Sequence, residues 1–246
     1  MNADLLLAVI FFLIATLYGA VGLGGGSGYL AVMGLVGVPP EIMRLTALTL
    51  NILVASIGTW KYVRAGHFSA RLFWPIAAAS IPFAFLGGLL TLPGEFYRPL
   101  LGMALLYAAF RLWRSSTPKQ SPTQVTPKLP IWIALLAGAA IGLVAGLVGM
   151  GGGILLGPLL LLTGWADTRQ AMGITAAFVL VNSLAALAGR LTSVPQIPPS
   201  IFPWLLVVGI GGWLGAEYGS KRLNPLLLRR LLALVLLAGA VRMFVF

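Results

Sequence analysis

Cysteine is absent from the 246 residues, histidine occurs once, and there are five acids, Asp4, Glu41, Glu95, Asp167 and Glu217. No disulfide, thiolate metal site or thiol nucleophile can be assembled from such a chain. His67 stands in a basic loop and no two acids are spaced to pair, so the sequence offers neither a metal cluster, nor paired catalytic carboxylates, nor a Ser-His-Asp set. An enzyme is therefore not expected, and no catalytic residue, metal or cofactor is assigned. Charge is scarce too: Asp, Glu, Lys and Arg make up 9% of the residues, against 59% hydrophobic ones and a mean hydropathy of +1.00. Such a composition cannot cover a soluble surface. The chain reads as an all-α, polytopic, multi-pass integral membrane protein whose solvent is the lipid bilayer. Its net charge of +11 would suit nucleic acid, but Lys and Arg occur one or two at a time between apolar runs. Membrane orientation accounts for them better, and no nucleic-acid partner is expected.

What the chain has in quantity is glycine, and its placement is informative. Gly22-Leu-Gly-Gly-Gly-Ser-Gly28 and Gly149-Met-Gly-Gly-Gly153 each interrupt an apolar run long enough to cross a bilayer. At that depth unpaired backbone amides are tolerated only where they are buried in protein or line a cavity. Short apolar segments follow, residues 29–38 and 154–164, so the amides opening each segment form a helix N-terminus, which favours an anion. Packing or kinking is the ordinary use of glycine in membrane helices. Two such runs at corresponding positions of a duplicated chain favour a substrate site instead. The candidate binding residues in the runs are Gly24, Gly25, Gly26, Ser27 and Gly28, with Gly151, Gly152 and Gly153.

Residues 5–21 open the chain with no basic segment before them, so a cleaved signal peptide is not expected. Helices are predicted over 45–62, 73–92 (through Pro75 and Pro82) and 97–113. Residues 115–130 are polar and proline-rich and form a linker. The pattern then restarts with 131–148, the second glycine run, and helices over 175–191, 201–218 and 226–246. Offsets of 127 to 131 residues superpose Gly22 on Gly149, Asn51 on Asn182, Pro75 on Pro203 and Arg98 on Arg229. The chain is thus read as a first transmembrane repeat (1–114), a cytoplasmic linker (115–130) and a second transmembrane repeat (131–246). If each glycine-broken element is a hairpin returning to its starting side, each half has that hairpin plus three transmembrane helices, and the repeats are inverted. Twelve of the 16 Lys and Arg residues then fall inside, whereas eight full crossings with parallel halves would put nine inside. The positive-inside rule favours inversion. Trp60, Trp74, Trp113, Trp132, Trp165 and Trp204 lie near helix ends and are read as interfacial anchors.

Among polar residues that can lie deep, Asn51 and Asn182 recur at matching positions, with Ser27, Thr46, Thr49, Ser56, Thr175 and Ser183 nearby. An asparagine can donate two hydrogen bonds to an anion while staying neutral, or it can join helices. Both readings stay open, and Thr49, Asn51, Thr175 and Asn182 complete the candidate binding set. Arg44 is either an interfacial snorkelling residue, the more ordinary role, or an attractor of anions at the outer mouth. Glu217 is the one acid inside a predicted helix. An ion pair with Lys221, four residues on, is the ordinary reading, and a proton-coupling site the alternative.

With these residues in view, the chain resembles the TauE/SafE family of sulfite and organosulfonate exporters. The likeness rests on the duplicated run, Gly22 to Gly28 and Val148 to Gly153, each copy followed by a short helix, a Pro or Asp turn and a Thr-containing helix. After the turn, this chain has Leu48-Thr49 in one half and Thr175-Ala176 in the other. The resemblance implies a secondary transporter, an exporter in direction, of small sulfur-containing anions such as sulfite, sulfoacetate or other sulfonates, working by alternating access in a bacterial cytoplasmic (inner) membrane. A small anionic substrate is the expected partner, and a homo-oligomer is compatible with the sequence. The competing classes are a non-transporting membrane accessory subunit and a small anion channel.

Overall fold

The computed structural model describes residues 3–90, 93–114, 130–193 and 201–221, with seven scattered positions between 233 and 244. The predicted linker, apart from Pro130, and most of the last predicted helix lie outside the described residues. The fold is all-α. In chain order the described helices are α1 (Ala3–Gly19), α2 (Gly26–Leu35), α3 (Pro40–Arg64), α4 (Ala70–Leu89), α5 (Gly94–Arg114), α6 (Ile131–Val148), α7 (Gly153–Leu162), α8 (Thr168–Leu191) and α9 (Ile201–Lys221). Five of them, α3, α4, α6, α8 and α9, are long and apolar enough to cross a membrane. α2 and α7 have ten residues each. At 1.5 Å per residue that is about 15 Å, half of a hydrocarbon core about 30 Å thick.

α3 and α8 start earlier than hydropathy suggests. Pro40 takes the first position of α3, where its missing N–H costs nothing, and the Asp167 side chain caps α8 by accepting from the Gln170 N–H at 2.9 Å. The breaks before α2 and α7 need glycine for a backbone reason. Gly22, Gly24 and Gly25 have φ of +70, +81 and +116°, and Gly149, Gly151 and Gly152 have +87, +75 and +78°. Three left-handed residues within four positions suit no side-chain-bearing sequence.

After its break α2 folds back along α1. The Ser27 hydroxyl meets the Tyr18 hydroxyl at 3.0 Å, Gly28 lies on Ile14, and the Tyr29 ring packs on Phe11 with centroids 5.2 Å apart, so rising numbers on α2 meet falling numbers on α1. In the second copy Gly152 lies against Ala145 and Ile141, and Leu155 and Leu159 line one crevice with Ile141 and Ala137.

Packing crosses between the halves reciprocally. α4 lies against α6 and α8, α9 against α1 and α3, and α3 against α8. Two glycine stripes make close backbone contacts here. Gly138, Gly142 and Gly146 of α6 abut the carbonyls of Ile76, Ser80 and Ala84, while Gly211, Gly215 and Gly219 of α9 abut those of Phe12, Thr16 and Ala20. Four-residue spacing of glycine lets helix backbones touch, which is how membrane helices associate without a hydrophobic effect to drive them. α3 and α8 cross antiparallel. Arg44 is within electrostatic reach of Arg190, Gly58 faces Ala176, and the Tyr62 hydroxyl lies 3.7 Å from Met172 Sδ.

This antiparallel crossing, combined with the charge distribution, makes a topology prediction. Because the chain has no cysteine, single cysteines report without background. Exposed Ala65 and Thr168, replaced by cysteine, are expected to label from the cytoplasm, and exposed Phe96 and Ser193 from the opposite side. Labelling of Ala65→Cys and Phe96→Cys from one face would contradict the arrangement.

Candidate functional site

The two glycine runs meet at one side chain. Asn51, on α3, is 0% exposed. Its Oδ1 lies toward Gly24, and its Nδ2 toward Gly26 of the first run and Gly151 of the second. A Cβ on Gly24 would stand 2.9 Å from Asn51 Oδ1 and one on Gly151 3.0 Å from Nδ2, while one on Gly26 would overlap Nδ2 and reach the Met150 carbonyl oxygen at 3.0 Å. Glycine is thus required here by close approach. Neither polar atom of Asn51 has a hydrogen-bond partner. A buried, unpaired amide costs about 1–3 kcal/mol, which makes Asn51 the candidate residue at this junction.

Around Asn51 the donors accumulate. The Ser183 hydroxyl, on α8, is buried without a partner, 2.9 Å from where a Cβ on Gly151 would stand. The first N–H groups of α2, those of Gly26, Ser27 and Gly28, precede its first intrahelical bond, which runs from Tyr29 N–H to Gly25 O at 3.0 Å. In α7 both Leu155 and Leu156 N–H turn to Gly152 O at 3.1 Å, which leaves the N–H groups of Gly153 and Ile154. Two helix N-termini and a neutral amide present partial positive charge without a cation. Val179 closes the space, its Cγ1 2.7 and 2.9 Å from Cβ positions on Gly24 and Gly151. Gly24 to Gly28 and Gly149 to Gly153 are all buried.

The candidate residues read from sequence divide three ways. Gly24, Gly26, Gly151 and Asn51 come together, and Gly153 and Thr175 adjoin them. Gly153 touches Val179 and Thr175, and the Thr175 hydroxyl is buried and unpaired. Gly25, Gly28 and Gly152 present their Cα faces to packing: Gly25 to the Tyr29 ring, Gly28 to Ile14 and Tyr18, and Gly152 to Ile141, Ala145 and Phe178. Ser27 and Thr49 have hydroxyls already engaged, with Tyr18 and with the Leu45 carbonyl at 2.8 Å. Asn182 differs most from its counterpart. Its Oδ1 accepts from Ser80 Oγ at 2.7 Å and its Nδ2 donates to the Phe178 carbonyl at 3.0 Å. At the offset that brings Pro75 onto Pro203, Ser80 falls on Val208, which has no hydrogen-bonding group to offer Asn51. Ser183 and the Met150 carbonyl, outside the sequence-derived set, belong to the junction.

The duplicated glycine run, each copy followed by a short helix and a Pro or Asp turn, is the feature on which the family resemblance rests, and the profile of the family described as "Sulfite exporter TauE/SafE" matches residues 7–243. The chain belongs to the TauE/SafE family. It is 39% identical over 238 residues, 96% of each chain, to the probable membrane transporter protein y4hK of Sinorhizobium fredii. No solved structure matches it. This TauE/SafE protein is accordingly a multi-pass integral membrane transporter, with transport of sulfur compounds as the activity its family supports.

Two charged or aromatic features of the TauE/SafE chain depart from the sequence reading, and a third adds to it. Glu217 pairs with Lys61 of α3, and the Lys61 ammonium lies 3.8 Å from the Trp213 ring centre and 5.2 Å from that of Trp60. An acid with a lysine from another helix beside it ties α3 to α9. Arg44 does not snorkel. It is 2% exposed and donates to the carbonyls of Leu90, Gly87 and Gly146. Of the six tryptophans read as anchors, Trp60, Trp74, Trp113 and Trp132 are exposed. Trp165 is buried, and Trp204 packs edge-on against Phe11 at 5.0 Å.

Proposed function

We propose that this protein is a secondary exporter of small sulfur-containing anions, such as sulfite, sulfoacetate or other sulfonates, and that the anion binds where the two glycine runs meet Asn51. The observation that carries this reading is the unpartnered Asn51 amide between Gly24, Gly26 and Gly151. A site of amides and hydroxyls holds a monoanion by many weak donors and releases it without breaking an ion pair. Secondary transporters place such sites at discontinuous helices near the midplane.

The way the helices pair supports an alternating-access mechanism. The glycine stripes bind α1 to α9 and α6 to α4, each across the two halves, which favours bodies drawn from both repeats over one sequence half rocking against the other. The bodies that move are α1, α3 and α9 on one side and α4, α6 and α8 on the other, each drawn from both repeats. They meet at the antiparallel α3/α8 crossing, where Asn51 and Ser183 lie. The same crossing supports inverted repeats, since α3 and α8 are equivalent helices of the two halves.

The test is flux in proteoliposomes. Saturable sulfite transport inhibited by sulfonates is expected. Unsaturable conductance would make the protein a channel, and absence of flux an accessory subunit. The moving bodies are tested in the same assay. Cβ atoms at Gly58 and Ala176 lie 3.5 Å apart, within disulfide range. Oxidising Gly58→Cys/Ala176→Cys is expected to arrest flux, with recovery on reduction. Undiminished flux from the cross-linked protein would refute motion at the α3/α8 crossing.

A further inference from the structure

Away from the junction, two cations are buried, one on α3 and one on α8. Arg44 and Arg190 are 2% and 3% exposed. The Arg44 terminal nitrogens donate to the carbonyls of Leu90 at 3.1 Å, Gly87 at 3.1 Å and Gly146 at 2.9 Å, closing the C-terminal ends of α4 and α6, but its Nε has no partner. Arg190 is worse served. Its Nε and one terminal nitrogen are both buried and unpartnered. The two arginines act electrostatically on each other and on Tyr97, whose ring centre lies 5.8 Å from the Arg44 guanidinium. Tyr97 in turn donates to the Val148 carbonyl at 3.0 Å, next to the second glycine run. Exposed Glu41 is an acid within electrostatic reach of Arg44, yet among the described residues no carboxylate forms an ion pair with either arginine.

A guanidinium cannot relieve this by losing its proton. Arg190 stands in the last turn of α8, where the helix dipole offers about half a negative charge, too little to balance two cations. Burying an ion without a partner costs several kcal/mol. A small anion with several acceptor atoms is the kind of group that suits these donors.

We propose that Arg44 and Arg190 form a second anion site, which takes sulfite or a sulfonate group: its oxygens accept from an unpartnered nitrogen of Arg190 and from Nε of Arg44. Seven residues of α3 separate Arg44 from Asn51, and seven of α8 separate Arg190 from Ser183, about 10 Å at 1.5 Å per residue. The site therefore lies beyond the junction, at the end of the bundle where α3 begins and α8 ends. Its role in transport rests on the function proposed above: it holds the anion between the junction and the outer face. The site itself stands on the arginines alone.

The experiment uses purified full-length protein in a gluconate buffer of low ionic strength, with sodium sulfite as the probe. Wild type is expected to bind two ions per chain by calorimetry. Arg190→Gln should bind one and, with an unpaired buried charge removed, should melt at a higher temperature than wild type without sulfite. Arg190→Lys, which keeps the charge, should retain part of the sulfite-induced rise in Tm. A structural arginine would give the opposite: Arg190→Gln melting lower than wild type, or failing to fold, with Arg190→Lys folded but showing no sulfite-induced rise in Tm beyond that of the junction site, overturns the proposal. So does an Arg190→Gln protein that binds two ions. Asn51→Leu separates the two sites. One ion lost in Asn51→Leu and none in Arg190→Gln leaves the junction and removes the arginine site. One lost in Arg190→Gln and none in Asn51→Leu does the reverse.

Discussion

Gly26→Ala is expected to lower sulfite transport at least tenfold, about 1.4 kcal/mol, while leaving the protein folded. The substitution is informative because nothing about the local backbone forbids it. Gly26 is not among the positive-φ glycines, and as the first residue of α2 it occupies a position where alanine is the better helix former by roughly 1 kcal/mol. What the methyl group meets is the other half of the site. It overlaps Asn51 Nδ2 and comes within 3.0 Å of the Met150 carbonyl, so the amide must swing away or the two runs must part. Gly26→Asp adds like charge to the crowding and should abolish transport altogether. Gly157→Ala is the control: its Cβ would lie 3.5 Å from the nearest atom, Thr175 Oγ1, and flux should stay within about twofold of wild type. Wild-type flux from Gly26→Ala would mean that the close approach of the two runs has no part in binding.

The second large effect separates two residues that the sequence treats as equivalents. Asn182→Leu leaves Ser80 Oγ without its acceptor in a buried place, and the expected loss is about 1–3 kcal/mol of stability. Sulfite affinity of the folded fraction should change little. Asn51→Leu breaks no hydrogen bond within the protein, so its Tm should equal or exceed that of wild type, while sulfite affinity falls by at least thirtyfold, about 2 kcal/mol. Thermal melts and calorimetry on the two variants read both quantities. Equal destabilisation and equal loss of affinity would show that pseudo-symmetry extends to the site.

That asymmetry marks where sequence reasoning reaches its limit. The spans, the two breaks and the half-length helices were legible because composition and glycine runs are local features, and the matching positions of Asn51 and Asn182 gave a further clue. Whether either asparagine is free depends on what a different helix brings to it, Ser80 in one case and a valine position in the other. Likewise, a run of glycines does not say which Cα face looks at a ligand. Gly24, Gly26 and Gly151 do face the junction, while Gly25, Gly28 and Gly152 pack on Tyr29, Ile14 and Ile141. Arg44 looked interfacial from its place near a helix start, but the C-terminal carbonyls of α4 and α6 converge there and bury it. The Lys61–Glu217 pair joins residues 156 apart, beyond any local spacing rule. The stripes Gly138/Gly142/Gly146 and Gly211/Gly215/Gly219 were readable as four-residue spacing, and they are what exchanges helices between the halves.

The central claim, that an anion binds between the glycine runs at Asn51, is tested most directly at the amide itself. Protein labelled with 15N only at asparagine gives few side-chain NH2 signals, and Asn51→Leu and Asn182→Leu assign the two that matter. During a sulfite titration the Asn51 signals should shift saturably, with a midpoint equal to the calorimetric Kd of the junction, while those of Asn182, held by Ser80 and Phe178, stay in place. Sulfite binding that leaves the Asn51 signals unmoved would contradict the account.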